Sequence, residues 1–176
     1  SRRAEGGGGA ISSAADPVNN VTTVLIDVGK TFKQSAVKWF HKYAVANVDG
    51  VVLTHEHADA VLGLDDVREM QKFSVDWRTG GDFSNPSPLP VFLSQATYAH
   101  VENVFPYLTS KPDESKGQVK RLVSQLEFKI LEPLESFSVA NLEMKAVPIQ
   151  HGADCMCMGY VFGGPERVVY LSDFSS

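Results

Sequence analysis

Hydrophobic positions fall into short runs of two different periods along the chain. Val21 to Asp27 (VTTVLID) is β-branched and bounded by Gly29, which predicts a strand, while Phe32, Val37, Phe40 and Ala44 predict a helix over 32–46. Val48 to Thr54 is a second strand, apolar at consecutive positions, as expected of a strand covered on both faces in a layered α/β fold. Val61, Leu64, Val67 and Met70 recur at every third position and predict a helix with one buried stripe. Val91 to Leu93 is a short strand. Ser94 then caps a helix that places Val101, Val104, Phe105 and Leu108 on one face.

The last third alternates. Leu126, Phe128 and Ile130, then Phe137 and Val139, Leu142 to Ala146, Met158 to Phe162, and Val168 with Tyr170 keep a two-residue period, with Gly163-Gly164 as a hairpin turn before the final strand. Helical connections among early strands, followed by a run of antiparallel strands, imply sheets with helices packed outside. Two irregular segments interrupt the pattern: 74–90, of a length usually functional or disordered, and 109–118, polar and expected to be flexible. Residues 1–20, with four consecutive glycines from Gly6, cannot offset their ordering entropy by burial and are expected to be flexible, leaving 21–176 as one domain.

Composition narrows the function classes. A chain of 176 residues can bury a core without disulfides or a structural metal, and no stretch approaches the ~18 apolar residues that span a bilayer. A net charge of -5, with no basic stripe, favours small charged metabolites over nucleic acid and argues against a membrane partner. Cys155 and Cys157 stand too close in sequence for an unstrained mutual disulfide, so a cytoplasmic setting is the expectation. Their alternation with Met156 and Met158 reads as strand packing before it reads as a soft-metal site. Gly6 to Gly9 lacks the following Lys-Ser/Thr of a phosphate loop, and Ser172 and Ser175 lack a nucleophile-elbow setting. His41 and His100, in helical stretches, read as solvated surface.

The chemistry concentrates in Thr54-His55-Glu56-His57-Ala58-Asp59, directly after the buried strand. On an extended segment His55 and His57 point the same way, whereas on a helix they would diverge by roughly 200°. Asp59 lies two further on, where a turn can bring its carboxylate alongside. Two histidines in a short acidic loop are commonly no more than a polar turn. His151, however, closes another alternating strand, and Asp173 follows Val168 to Leu171 in the same way. Imidazoles and carboxylates gathered from three strand ends, without thiolates, suit Zn²⁺ or a similar borderline metal in an open catalytic site.

His55-x-His57-x-Asp59 after VVLT, His151 in a PxxHG setting and Tyr170-Leu171-Ser172-Asp173 resemble the metallo-β-lactamase superfamily. Leu25-Ile26-Asp27-Val28-Gly29 and Gly63-Leu64-Asp65-Asp66-Val67-Arg68 are similar to its branch of phosphonate-pathway cyclic phosphodiesterases. The resemblance implies an α/β four-layer αβ/βα sandwich. It makes His55, His57 and His151 ligands of a first metal, Asp59 a ligand of a second and Asp173 the bridge. Asp27 becomes the residue that orients the histidine loop. It implies one or two Zn²⁺ ions, with Mn²⁺ an alternative, because Ala60 stands where most members carry a further histidine.

The activity implied is that of a metal-dependent hydrolase using a metal-bound hydroxide, with Asp59 or Asp173 handling the nucleophile's proton. A phosphodiesterase acting on a small or cyclic phosphate ester leads. A thioesterase or lactonase, a tRNA 3′-end nuclease and a catalytically degenerate binding module remain open, as does a homodimeric assembly. Against the family pattern the chain is expected to be incomplete at both ends, starting after the first strand and stopping before a closing histidine, within a whole of ~250 residues.

Overall fold

The computed structural model describes residues 21–72, 86–110 and 123–175. Residues 1–20 and most of the two irregular segments fall outside these ranges. Four strands, β1 (Val24–Ile26), β2 (Gly50–Val52), β3 (Leu89–Leu93) and β4 (Leu126–Ile130), form one sheet in that spatial order, every pair parallel. Parallel neighbours need crossovers, which are supplied by α1 (Phe32–Trp39), by α2 (Ala58–Val61) with a 3₁₀ helix (Asp66–Met70), and by α3 (Gln95–Val104) with α4 (Pro106–Thr109). The second sheet is antiparallel, β5 (Ser136–Val139), β6 (Leu142–His151), β7 (Cys155–Phe162) and β8 (Val168–Tyr170), in sequence order.

Two cores explain the consecutive apolar runs. Val51, Leu53, Val91 and Leu93 face the helices and pack with Phe32, Val61, Leu64 and Val101. The intervening Val52 and Phe92 face the opposite way, onto Phe137, Val139, Met144, Met158 and Tyr160 of the second sheet. The first sheet is thus buried on both faces, and the layers run helix, sheet, sheet. No helix follows Thr109 among the described residues, and none is long and apolar enough to cross a membrane.

Several expectations need correction. Leu126 to Ile130 alternates like the later strands but adds in parallel to the first sheet. α1 ends at Trp39, and Phe32 and Ala36 form its buried side while Val37 is exposed. The three-residue period from Val61 belongs to a short α-turn and a 3₁₀ helix, whose i, i+3 side chains eclipse, and not to one α-helix. Ser94 does cap α3, its hydroxyl accepting from Thr97 N–H at 3.1 Å. Pro106 then disfavours helical geometry at Phe105, which splits the long helix in two and leaves Val104 exposed. The final hairpin turns through residues 163–167, not through a two-residue loop, with Gly163 at φ 101°.

The loops behind β1 and β2 are knotted by backbone bonds: Val28 N–H to Ala60 O (2.8 Å), Lys30 N–H to Ala58 O (3.1 Å) and Gly63 N–H to Val28 O (2.6 Å). A Cβ on Gly29 would overlap the Asp59 carbonyl, which the knot prevents from moving. Gly29→Ala is therefore expected to destabilise the protein by about 3 kcal/mol or more, read as a fall of several degrees in thermal midpoint. A change within about 0.5 kcal/mol would show that the loops are not locked.

Candidate metal centre

β2 runs on into the fully buried Leu53 and Thr54, and the chain extends past it through His55 to His57, whose ψ of 160° starts α2. That extension puts the His55 and His57 rings side by side, with centroids 4.6 Å apart. β6 is continuous to His151, whose ring lies 5.4 Å from His55 and 5.2 Å from His57. Asp173, just beyond β8, sets Oδ2 3.7 Å from His55 Nε2 and 3.8 Å from His151 Nε2. One donor atom from each of the four side chains lies within 4.8 Å of every other. Their exposure is uneven: His55 is 1% exposed, while the Asp173 side chain is 48% exposed, so the cluster is closed behind and open in front.

The back wall is a hydrogen-bonded relay. Asp27 ends β1 at φ 63°, a left-handed conformation that Asp tolerates better than most residues. It accepts from Thr54 N–H at Oδ1 and from Thr54 Oγ1 at Oδ2, both at 2.8 Å. The threonine hydroxyl has one proton. With that proton on the Asp27 carboxylate, the 2.8 Å contact between Thr54 Oγ1 and His55 Nδ1 must be an Nδ1–H donation, which leaves the Nε2 lone pair facing the cluster. His55 Nε2 is buried and has no hydrogen-bond partner. Burial, then the neighbouring His57, hold the His55 imidazole below its ordinary pKa, which favours the neutral ligating form. A buried unpaired nitrogen facing two more imidazoles and a carboxylate fits a divalent cation.

Asp59 is not among these four. It lines the adjoining cleft of about 350 Å³ with Asp27, Thr31, Ser35, Tyr170 and Ser172, and His55 forms part of both walls. Ala60 is 1% exposed and its carbonyl belongs to the loop knot, so its small side chain is a packed element of the wall. His100 is exposed on α3, and His41 is exposed beyond α1. Lys33 is engaged by Asp66 at 3.4 Å and Glu69 at 3.5 Å.

Three supporting residues escaped the sequence reading. Thr54 could have been suspected, since it stands between the strand and the first histidine. Tyr160, whose hydroxyl donates to Leu53 O at 2.6 Å, looked like any alternating core residue. Glu56 turns away from the cluster and accepts from Cys155 Sγ at 3.8 Å, a pairing across 99 positions that no local pattern signals.

An open cluster of three imidazoles and a carboxylate, set where a parallel sheet covered by helices meets an antiparallel one, is a candidate metal site on an α/β layered fold. The chain belongs to the beta-lactamase superfamily, whose domain profile matches residues 22–176. Among solved structures, a diphosphatase of the PhnP family is 28% identical, with a TM-score of 0.56 over 80% of this chain and 44% of that one. The metallo-β-lactamase fold protein YhfI from Bacillus subtilis shares the fold at 16% identity and a TM-score of 0.51, covering 82% of this chain and 48% of its own. An octanoyltransferase from Porphyromonas gingivalis is 27% identical over 150 residues, 85% of this chain and 25% of that protein. The chain thus spans under half the length of each.

The relay makes two predictions. Thr54→Val removes the acceptor that orients His55, and metal affinity measured by competition with a chelator should fall about 10- to 100-fold with the fold retained. Unchanged affinity would exclude the relay. Burial pushes the Asp27 carboxyl up to about 6 from 3.8. The folded state therefore binds the extra proton between those values, and Asp27's contribution to stability falls as pH rises through the window. In metal-free protein, raising the pH from about 4 to about 7 should cost the wild type on the order of 2 kcal/mol relative to Asp27→Asn. Parallel pH profiles for the two proteins would contradict a raised pKa.

Proposed function

We propose that the protein is a metal-dependent hydrolase of phosphate esters, most consistent with a phosphodiesterase on a small or cyclic ester. The observation that carries the reading is the buried, partnerless His55 Nε2 facing His57, His151 and Asp173. Family membership and the 28% identity to a PhnP-family diphosphatase support it. His55, His57 and His151 would hold the first ion, with three imidazoles suiting Zn²⁺ and Mn²⁺ the alternative. Asp173 would be shared with a second ion, for which Asp59 in the adjoining cleft would be the remaining carboxylate; with Ala60 in place of a donor, that second ion would be held more weakly.

Bound there, a divalent ion acidifies water and offsets charge on phosphoryl oxygens. The protein's own groups do the rest. Asp27, through Thr54, keeps the proton on His55 Nδ1 and the ring fixed. Asp59 and Asp173 carry carboxylates on the open side, where either Oδ can take the proton of the attacking water. The hydroxyls of Thr31, Ser35 and Ser172 line the cleft as donors for a phosphate group.

The test pairs metal analysis with turnover of chromogenic phosphodiester, thioester and lactone substrates. The wild type is expected to hold at least one zinc equivalent and to prefer the phosphodiester. His57→Ala should lose metal and at least a hundred-fold in rate. An equally fast His57→Ala variant would remove the assignment, and preference for the thioester would move the substrate class.

A further inference from the structure

Among the described residues, one segment is opposite in character to the acidic chain. Between Asp27 and Asp49 the sequence holds Lys30, Lys33, Lys38, His41 and Lys42 and no carboxylate. The segment contains α1 and the turns that follow it. Lys33 is neutralised from outside by Asp66 and Glu69, but Lys38 and Lys42 have no carboxylate partner among the described residues. Their ammonium groups lie instead against aromatic rings: Lys38 Nζ is 4.5 Å from the Trp39 centroid, and Lys42 Nζ is 5.0 Å from Trp39 and 5.5 Å from Tyr43. The Trp39 and Tyr43 rings are stacked, 6.0 Å apart and 21° from coplanar. Both are exposed, Trp39 at 38% and Tyr43 at 66%, although large rings are usually drawn into a core.

We infer that this end of α1 is a docking surface for single-stranded nucleic acid, which it holds beside the metal cluster. Flat aromatic faces take bases of any identity, and unpaired lysines take the phosphates between them. The other end of the same helix reaches the cleft: Phe32 and Ser35 line it with Asp59. From Ser35 to Trp39 the helix rises about 6 Å, a short span for a polynucleotide, so a strand stacked on Trp39 can present a phosphate to the cleft. A membrane surface fits less well, since an interfacial helix needs a contiguous apolar face and here Lys33, Gln34, Lys38 and Lys42 leave Val37 as the exposed aliphatic residue of α1. The net charge of -5 argues against a polyanion only for the molecule as a whole, because fields beyond about 8–10 Å are screened at physiological salt. That the strand is then cleaved rests on the phosphodiesterase reading; its binding does not.

The experiment measures anisotropy of a fluorescein-labelled oligothymidylate of about twelve nucleotides with the metal-free full chain, across a salt series. The wild type is expected to bind more tightly as salt falls. The Lys38→Glu, Lys42→Glu double variant should weaken binding at least ten-fold and lower the salt slope by about 1.4, two contacts at roughly 0.7 each. Trp39→Ala should weaken it about ten-fold with the slope retained. On metal-loaded protein, both variants should turn over a small chromogenic phosphodiester at the wild-type rate. No binding by the wild type, or equal binding by both variants, overturns the inference. So does attachment to phosphatidylserine vesicles through these residues without oligonucleotide binding. Patch-dependent binding in a protein that hydrolyses no phosphodiester sustains the docking surface and removes the phosphodiesterase reading alone.

Discussion

The paired hydrogen bonds from Thr54 to the Asp27 carboxylate are the constraint around which the molecule is arranged. They clamp the end of β1 to the end of β2, and the Thr54 carbonyl accepts Met158 N–H from β7 at 2.7 Å, so this one residue joins strands of both sheets. Burying a carboxylate is costly, as the raised pKa of Asp27 records, and the left-handed backbone at Asp27 adds strain. The return is a fixed proton on His55 Nδ1 and a fixed lone pair on Nε2. Without the clamp, His55 would be a buried imidazole free to choose either tautomer.

The cluster's asymmetry follows from the same arrangement. His55 is sealed between the two sheets because it directly continues a strand buried on both faces. His57, two residues on, has already left that strand and opens α2 at the surface. His151 and Asp173 come from the second sheet, where β6 and β8 reach the same edge. A donor set with one buried and three more accessible members can hold an ion firmly from behind and still leave its front to water and substrate. The loop knot of Val28, Gly29, Ala60 and Gly63 completes the wall. It also accounts structurally for the small residue at position 60, whose backbone and side chain are both enclosed.

α1 spans the two halves of the functional reading. Its first turn is packed against the core through Phe32 and lines the cleft, while its end and the turns that follow it carry exposed rings and lysines. No core contact requires Trp39 or Tyr43 to be aromatic. Their stacking gives a surface in which charge and flat apolar area occur together.

The sequence alone establishes which residue types could do chemistry and that they follow strands, because the period-two geometry that aligns His55 with His57 is local. It determined the double coverage of β2 as well, since only a strand between two apolar layers keeps Val51, Val52 and Leu53 all buried. It could not assign Leu126 to Ile130 to a sheet, as alternation is the same whether a strand pairs parallel or antiparallel. Nor could it separate Asp59 from the four-residue cluster, because spacing along the chain does not say how α2 turns after His57. These points emerge from the folded chain, and with them the Thr54 relay, the Tyr160 and Glu56 contacts and the isolation of Lys38 and Lys42 from any carboxylate among the described residues. Each depends on groups distant in sequence meeting at one place, and that information lies in the packing of the two sheets and not in any single segment.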